Sequence, residues 1–380
     1  ISGAGIFGAQ YYGRGDMDGV RHTFRFKVLV AAAITAGAIG LFLALGPTLI
    51  GAYIAADTSP ADAAATRDYA WGYLRIMLVG LAPFALTQCY AGTLRESGQT
   101  VLPMKASMLA MVVNFVFNLL LIFGLCGFPK MGVAGAGWAT LISQLISGLL
   151  CLLYMDRKFP ILHLKKENLL WRGHCVRRLL IMGLPMGLQY SITAIGSILL
   201  QTAVNGLGAT AMAAIAAGSR VSMLLVCPFD AMGTTAATFA GQNLGAGKLD
   251  RIHQGVKDCT VLGIIISAAI FVITWFGGSA MTTLFLDTAD GASVDMVVPM
   301  GQQFLLINAA FAIPLLFVNL LRFTIQGLGY SEFAVFAGVF EMVARGAFGL
   351  CLVPVLGYTA ACFASPAAWV MADLFLFPAY

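Results

Sequence analysis

Two asparagines four residues apart, Asn114 and Asn118, stand in an apolar run and so share one face of a predicted helix. Thr140 lies in the next apolar segment. Amide and hydroxyl oxygens are hard, neutral ligands that suit Na⁺ and also join proton-linked networks. The same groups serve as interhelical hydrogen bonds, a common use of polar side chains between membrane helices. A second pair, Glu341 and Arg345, has the same spacing with the acid first, the favourable order on a helix. A charge at the bilayer centre costs roughly 2.5–3.5 kcal/mol, so these two are expected to pair. They form either a self-neutralising structural pair or a carboxylate turned to substrate or to protons. Arg220 and Asp230 are ten residues apart on one long helix. That spacing separates them by about 80° and about 15 Å, so each needs another partner or water. Asp230 is a candidate cavity carboxylate, with a place near a helix end as the alternative. Gln88, Gln189, Tyr190 and Gln201 have the amides and the ring to line a cavity for amphipathic cations, or to pack between helices.

The elements that must carry these residues are apolar runs. The chain has 380 residues, 59% hydrophobic and 10% charged. A soluble core cannot absorb that composition; a bilayer can, and each spanning helix needs about 20 apolar residues. The pattern predicts a partial helix before Gly13, then helices over about 28–54, 69–94, 104–126, 132–155, 177–205, 210–241, 257–286, 296–326, 333–353 and 359–379. The intervening loops alternate in charge. One set holds Arg14, Arg21, Arg25 and Lys27, then Arg95 and Lys105, then Arg157 to Arg178, then Lys248, Arg251 and Lys257, and Arg322; the other holds only Arg67 and Lys130. Basic loops mark the cytoplasmic side, so the reading is a multi-pass protein of a bacterial inner membrane. Eight cysteines without Cys-x-x-Cys spacing read as free buried thiols. The net charge of +5 is explained by this loop asymmetry and calls for no nucleic-acid partner. A membrane-embedded transferase would need His/Asp clusters, and His22, His163, His174 and His253 have none beside them.

The chain repeats itself. Gln10 to Asp18 (QYYGRGDMD) matches Gln242 to Asp250 (QNLGAGKLD) at a shift of 232. Pro83 matches Pro314, and Leu94 to Thr100 (LRESGQT) matches Ile325 to Ser331 (IQGLGYS), both at 231. Gly132 to Thr140 resembles Gly357 to Ser365. Duplicated halves are a transporter architecture. The predicted division is a lobe over 1–155, a basic amphipathic connector over 156–175 lying on the cytoplasmic surface, and a lobe over 176–380. The matched prolines are expected to kink their helices.

The ordered segments GAQYYGRGDMDGVR, LRESGQT, NFVFNLLLIFG, GVAGAGWATLISQ, GLPMGLQYSI, AGQNLGAGKLDR and GYTAACFAS resemble the multidrug and toxic compound extrusion (MATE) family, of its bacterial DinF- and NorM-like type. The resemblance covers nearly the whole chain. It implies an all-α polytopic membrane fold of two pseudo-symmetric six-helix lobes, here with the first helix missing. It implies export of bulky, often cationic organic compounds against Na⁺ or H⁺, without catalysis and with no cofactor beyond the coupling ion. The expected partners are a small organic substrate and membrane lipids, with the chain a monomer. At the family's motif positions Asn114, Asn118 and Thr140 fall in a cation site, whose acidic member belongs to the absent first helix. Family members with acids in the seventh and tenth helices find no counterpart here, since 183–193 and 309–327 hold no carboxylate. A lipid-linked oligosaccharide flippase of the same broad superfamily is the alternative; it calls for a strongly basic cavity, whereas, apart from the basic residues given to the loops, only Arg75, Arg220 and Arg345 fall within the predicted spans.

Overall fold

The structure is a computed structural model and describes residues 2–53, 60–158, 173–286 and 294–380. It consists of α1 (Ser2–Gly13), α2 (Met17–Tyr53), α3 (Pro60–Glu96), α4 (Val101–Phe123), α5 (Val133–Lys158), α6 (Gly173–Asn205), α7 (Ala209–Gly245), α8 (Leu249–Leu284), α9 (Val294–Ala310), α10 (Ala312–Leu328), α11 (Ser331–Ala347), α12 (Val353–Leu356) and α13 (Tyr358–Ala379). Among the described residues, nine helices are long and apolar enough to cross a membrane, or ten if the bent pair α9–α10 is one span. The chain divides into two compact units, 1–176 and 177–380. The central part of the expected connector, residues 159–172, lies outside the described residues.

The polarity is that of a membrane protein. Met111, Val112 and Phe115 of α4 are exposed, while Lys27, Glu96, Arg322, Glu341, Arg345 and Asp373 are buried. Water would reverse this arrangement; lipid favours apolar surfaces and forces charges to find partners inside. In the first unit Phe24, Cys89, Leu94 and Cys151 knit α2, α3 and α5 together. In the second, Phe229, Leu316, Leu320, Ala337 and Leu376 do the same for α7, α10, α11 and α13.

The repeat seen in the sequence is also one of backbone geometry. Asp16 donates its N–H to Tyr11 O (2.9 Å), and Lys248 to Asn243 O (2.8 Å). Gln99 donates to Leu94 O (2.8 Å), and Tyr330 to Ile325 O (3.1 Å). Each turn runs through a left-handed glycine: Gly15 and Gly247 in the first pair, Gly98 and Gly329 in the second. A Cβ is costly there, so the glycines survive where neighbouring residues have diverged.

Four expectations need correction. The helix read over 296–326 is broken at Phe311, where α9 and α10 meet at a 52° bend. Pro314 lacks the N–H that would have closed on Ala310 O. Its counterpart Pro83 lies inside α3, which continues past it. Helices also reach further than the apolar runs: α2 starts at Met17 and α3 ends at Glu96, so Arg25, Lys27 and Glu96 are helical and buried rather than in loops. Arg322, assigned above to a cytoplasmic loop, is buried within α10. The helix read over 333–353 gives way to a π-helical stretch, Phe348–Leu352, just before Pro354.

Candidate functional site

In the first unit, α5 lies unusually close to its neighbours because its first turns are glycines. A Cβ on Gly135 would stand 2.7 Å from Leu121 O of α4, and one on Gly137 would stand 3.1 Å from Ile76 Cγ2 of α3. This approach brings Thr140 to the asparagine face of α4. Asn118 Nδ2 donates to Asn114 Oδ1 (3.0 Å), Asn114 Nδ2 donates to Thr140 Oγ1 (3.3 Å), and Thr140 Oγ1 donates to Ala136 O (3.0 Å). The three residues picked out by spacing therefore form one directed chain of hydrogen bonds. It runs from Asn118 through Asn114 on α4 and crosses to Thr140 on α5, and at its head Asn118 Oδ1 is enclosed and accepts nothing. An unfilled amide oxygen of this kind has lone pairs that can accept a donor N–H or O–H or coordinate a cation.

Asn114 and Thr140 open onto a cavity of about 540 Å³ between α3, α4 and α5. Gln88 lines it too, with Ser107, Ser143 and Gln144. Arg95 also faces it, its Nε donating to Ala91 O (3.3 Å). Arg95 was read as a loop charge; its position in the last turn of α3 could not be told from a loop by composition.

Gly135→Ala tests the role of the close approach. Overpacking against a backbone carbonyl is expected to cost about 1–3 kcal/mol and to part Asn114 from Thr140. Thermal unfolding in detergent reads the cost; an unchanged midpoint would mean that α4 yields freely.

The second unit disperses most of its candidates. Gln189 is buried and accepts from Gln326 Nε2 (2.7 Å), tying α6 to α10. Tyr190 is exposed, and Gln201 is exposed with its Nε2 donating to Asn205 Oδ1 (2.9 Å). Arg220 and Asp230 are both exposed on α7. Asp230 lies within electrostatic reach of Arg322. Glu341 does pair with Arg345 (3.3 Å), and its other oxygen is held by Arg322, the partner that the sequence reading had placed in a loop.

The first unit holds a second buried ion pair that the sequence reading missed. Lys27 Nζ donates to Glu96 Oε2 and to Thr93 Oγ1 (3.1 Å). Both charges stand at the ends of apolar runs, where a helix and a loop look alike. The repeat offered a signal: Thr93 keeps its counterpart in Thr324, whereas Glu96 faces Gly327 and Lys27 faces Cys259.

The MatE family model matches residues 1–120 and 185–350. Among relatives, the chain is 27% identical over 217 residues to the probable multidrug resistance protein YoeA of Bacillus subtilis, covering 56% of this chain and 47% of that protein. It is 25% identical over 372 residues to the probable multidrug resistance protein NorM of Bradyrhizobium diazoefficiens, covering 96% and 72%. The chain spans about half the length of the first curated relatives it matches. A solved outward-facing multidrug resistance MATE transporter superposes with a TM-score of 0.87 at 18% identity, over 99% of this chain and 81% of that one. Paired helical units, matched turn glycines and a family model covering most of the chain lead to one conclusion: this is a multi-span membrane protein that belongs to the MatE family.

Proposed function

We propose that the chain is the transport core of a secondary exporter that moves organic, cationic or amphipathic compounds out of the cell in exchange for Na⁺ or H⁺. The observation that carries this reading is the unfilled acceptor Asn118 Oδ1, at the head of the Asn114–Thr140 chain beside the cavity in the first unit. Oxygens of this kind hold a monovalent ion without the cost of burying a carboxylate. Multidrug resistance relatives support the export direction. None of the relatives above favours the oligosaccharide flippase.

The energetics are sufficient. A monovalent ion falling through 100 mV yields about 2.3 kcal/mol, and a tenfold gradient adds about 1.4 kcal/mol. One ion per neutral substrate sustains a ratio of roughly a few hundredfold. Coupling is reciprocal: an ion that weakens substrate binding is weakened equally by substrate.

The test is ethidium movement in proteoliposomes under an imposed Na⁺ gradient and, separately, an imposed pH gradient. Transport is expected to follow one of them, and Asn118→Ala is expected to lower the gradient-driven rate at least tenfold while the protein remains folded. Gradient-independent movement, or an unaffected Asn118→Ala variant, would overturn the assignment.

A further inference from the structure

The second unit buries four charged side chains at one junction of α10, α11 and α13. Arg322 (α10) is 7% exposed, Glu341 and Arg345 (α11) are 3% and 8%, and Asp373 (α13) is 7%. Both guanidinium groups bind Glu341, one on each carboxylate oxygen. Asp373 is left out: its Oδ1 has no partner, although it lies within electrostatic reach of Arg322 and Glu341. Arg322 Nε and Arg345 Nη1 are also unpartnered. An idle guanidinium donor of Arg322 thus lies within electrostatic reach of an idle carboxyl oxygen, in a setting where each unmade bond is costly.

This arrangement makes sense for one protonation state. A neutral Asp373 attracts no guanidinium, so both arginines go to Glu341. An ionised Asp373 would be a second buried carboxylate, and two carboxylates and two guanidiniums pair one to one. We propose that Asp373 is a proton-binding site, and that its charge decides whether Arg322 is held by Glu341 on α11 or by Asp373 on α13. The structure holds the protonated arrangement. On deprotonation the O–H bond of Asp373 breaks, the proton leaves to water, and Arg322 Nε donates to the new carboxylate while Arg345 keeps Glu341. Asp230, an exposed residue of α7, is also within electrostatic reach of Arg322.

Other charges near Asp373 are few. Of the elements packed on α13, α11 carries Glu332 and α9 carries Asp295, each exposed in its helix's first turn, α10 carries no charge besides Arg322, and neither the π-helical stretch nor α12 carries an ionised group. The swap has a mechanical outlet. Arg322 is eleven residues beyond the break at Phe311, roughly 16 Å along α10. A rotation of about 10° at that break moves Arg322 by roughly 3 Å, enough to change partners.

The proposal does not depend on the ion site in the first unit, and its readout requires no transport. pH-difference infrared spectra of the protein in nanodiscs are expected to show a protonated-carboxyl band that disappears as pH rises. Asp373→Asn removes this band, and Asp373→Glu keeps it at a shifted frequency. Trp369, buried one turn before Asp373, reports the same step by its emission once Trp71, Trp138, Trp171 and Trp275 are replaced by Phe. The emission shift is expected to vanish in Asp373→Asn. A native protein with no titrating carboxyl band, or a band that persists in Asp373→Asn, overturns the proposal. If Asp373→Asn does not fold, the native spectrum and Asp373→Glu decide it.

Discussion

Replacing Glu96 by alanine is expected to destabilise the first unit by about 3–5 kcal/mol, enough to abolish recovery of folded protein from membranes. Lys27 is 1% exposed, and Glu96 supplies its counter-charge. Without Glu96, the ammonium keeps only Thr93 Oγ1 at 3.1 Å, a neutral oxygen. The packing around the acid gives it no substitute. Its carboxylate oxygens lie against α1 so closely that a Cβ on Gly5 or Gly8 would come within 2.5 Å of one or the other. Removing the pair together is a different matter. In the second unit the equivalent positions are Cys259 and Gly327, beside Thr324, and that unit folds around a cavity of about 210 Å³ lined by Cys259 and Thr324. The architecture therefore tolerates the place without charge. The double variant Lys27→Met/Glu96→Gln is expected to recover most of the stability lost in Glu96→Ala. Fluorescence-detected size exclusion after heating measures both; a Glu96→Ala protein that melts like the native one would show that the pair contributes nothing.

The contrast explains what the sequence made legible. Asn114, Asn118 and Thr140 could be picked out because they interrupt apolar runs at helical spacing, and a polar group inside a span has to face a partner or a ligand. Their meeting depends on Gly135 and Gly137, which read only as a small-residue run. Lys27, Glu96 and Arg322 were lost because each stands at the edge of an apolar run. There a loop charge and a buried charge have the same local context, and the partner that permits burial lies on another helix. For Glu341 the sequence named one of two partners, Arg345, because only that one is local. The prolines show the same limit. Pro83 and Pro314 remove the same hydrogen bond, yet only the second breaks its span, so the outcome rests on surrounding packing that no single segment encodes.

Glu341→Gln is expected to be the most damaging single change in the second unit, because one carboxylate answers two buried guanidinium groups. Leaving buried cations uncompensated costs about 3–5 kcal/mol or more. Arg345→Met is expected to be milder, since Glu341 keeps Arg322, and Arg322→Met milder for the mirror reason. If Asp373 binds a proton as proposed, the Glu341→Gln variant retains one acid that can ionise beside Arg322. Its defect is then expected to shrink as pH rises, because the ionised form of Asp373 supplies the missing counter-charge and is the form favoured above its own titration. In Glu341→Gln/Asp373→Asn that buried source is gone and only exposed Asp230 remains within electrostatic reach of Arg322, so the recovery with pH is expected to be much smaller. Melting midpoints of the two variants across pH decide the matter. Parallel curves would mean that Asp373 does not exchange with Glu341 for Arg322, and that the junction is a fixed clamp; diverging curves would mean that the unit carries two alternative pairings of one arginine, selected by a proton.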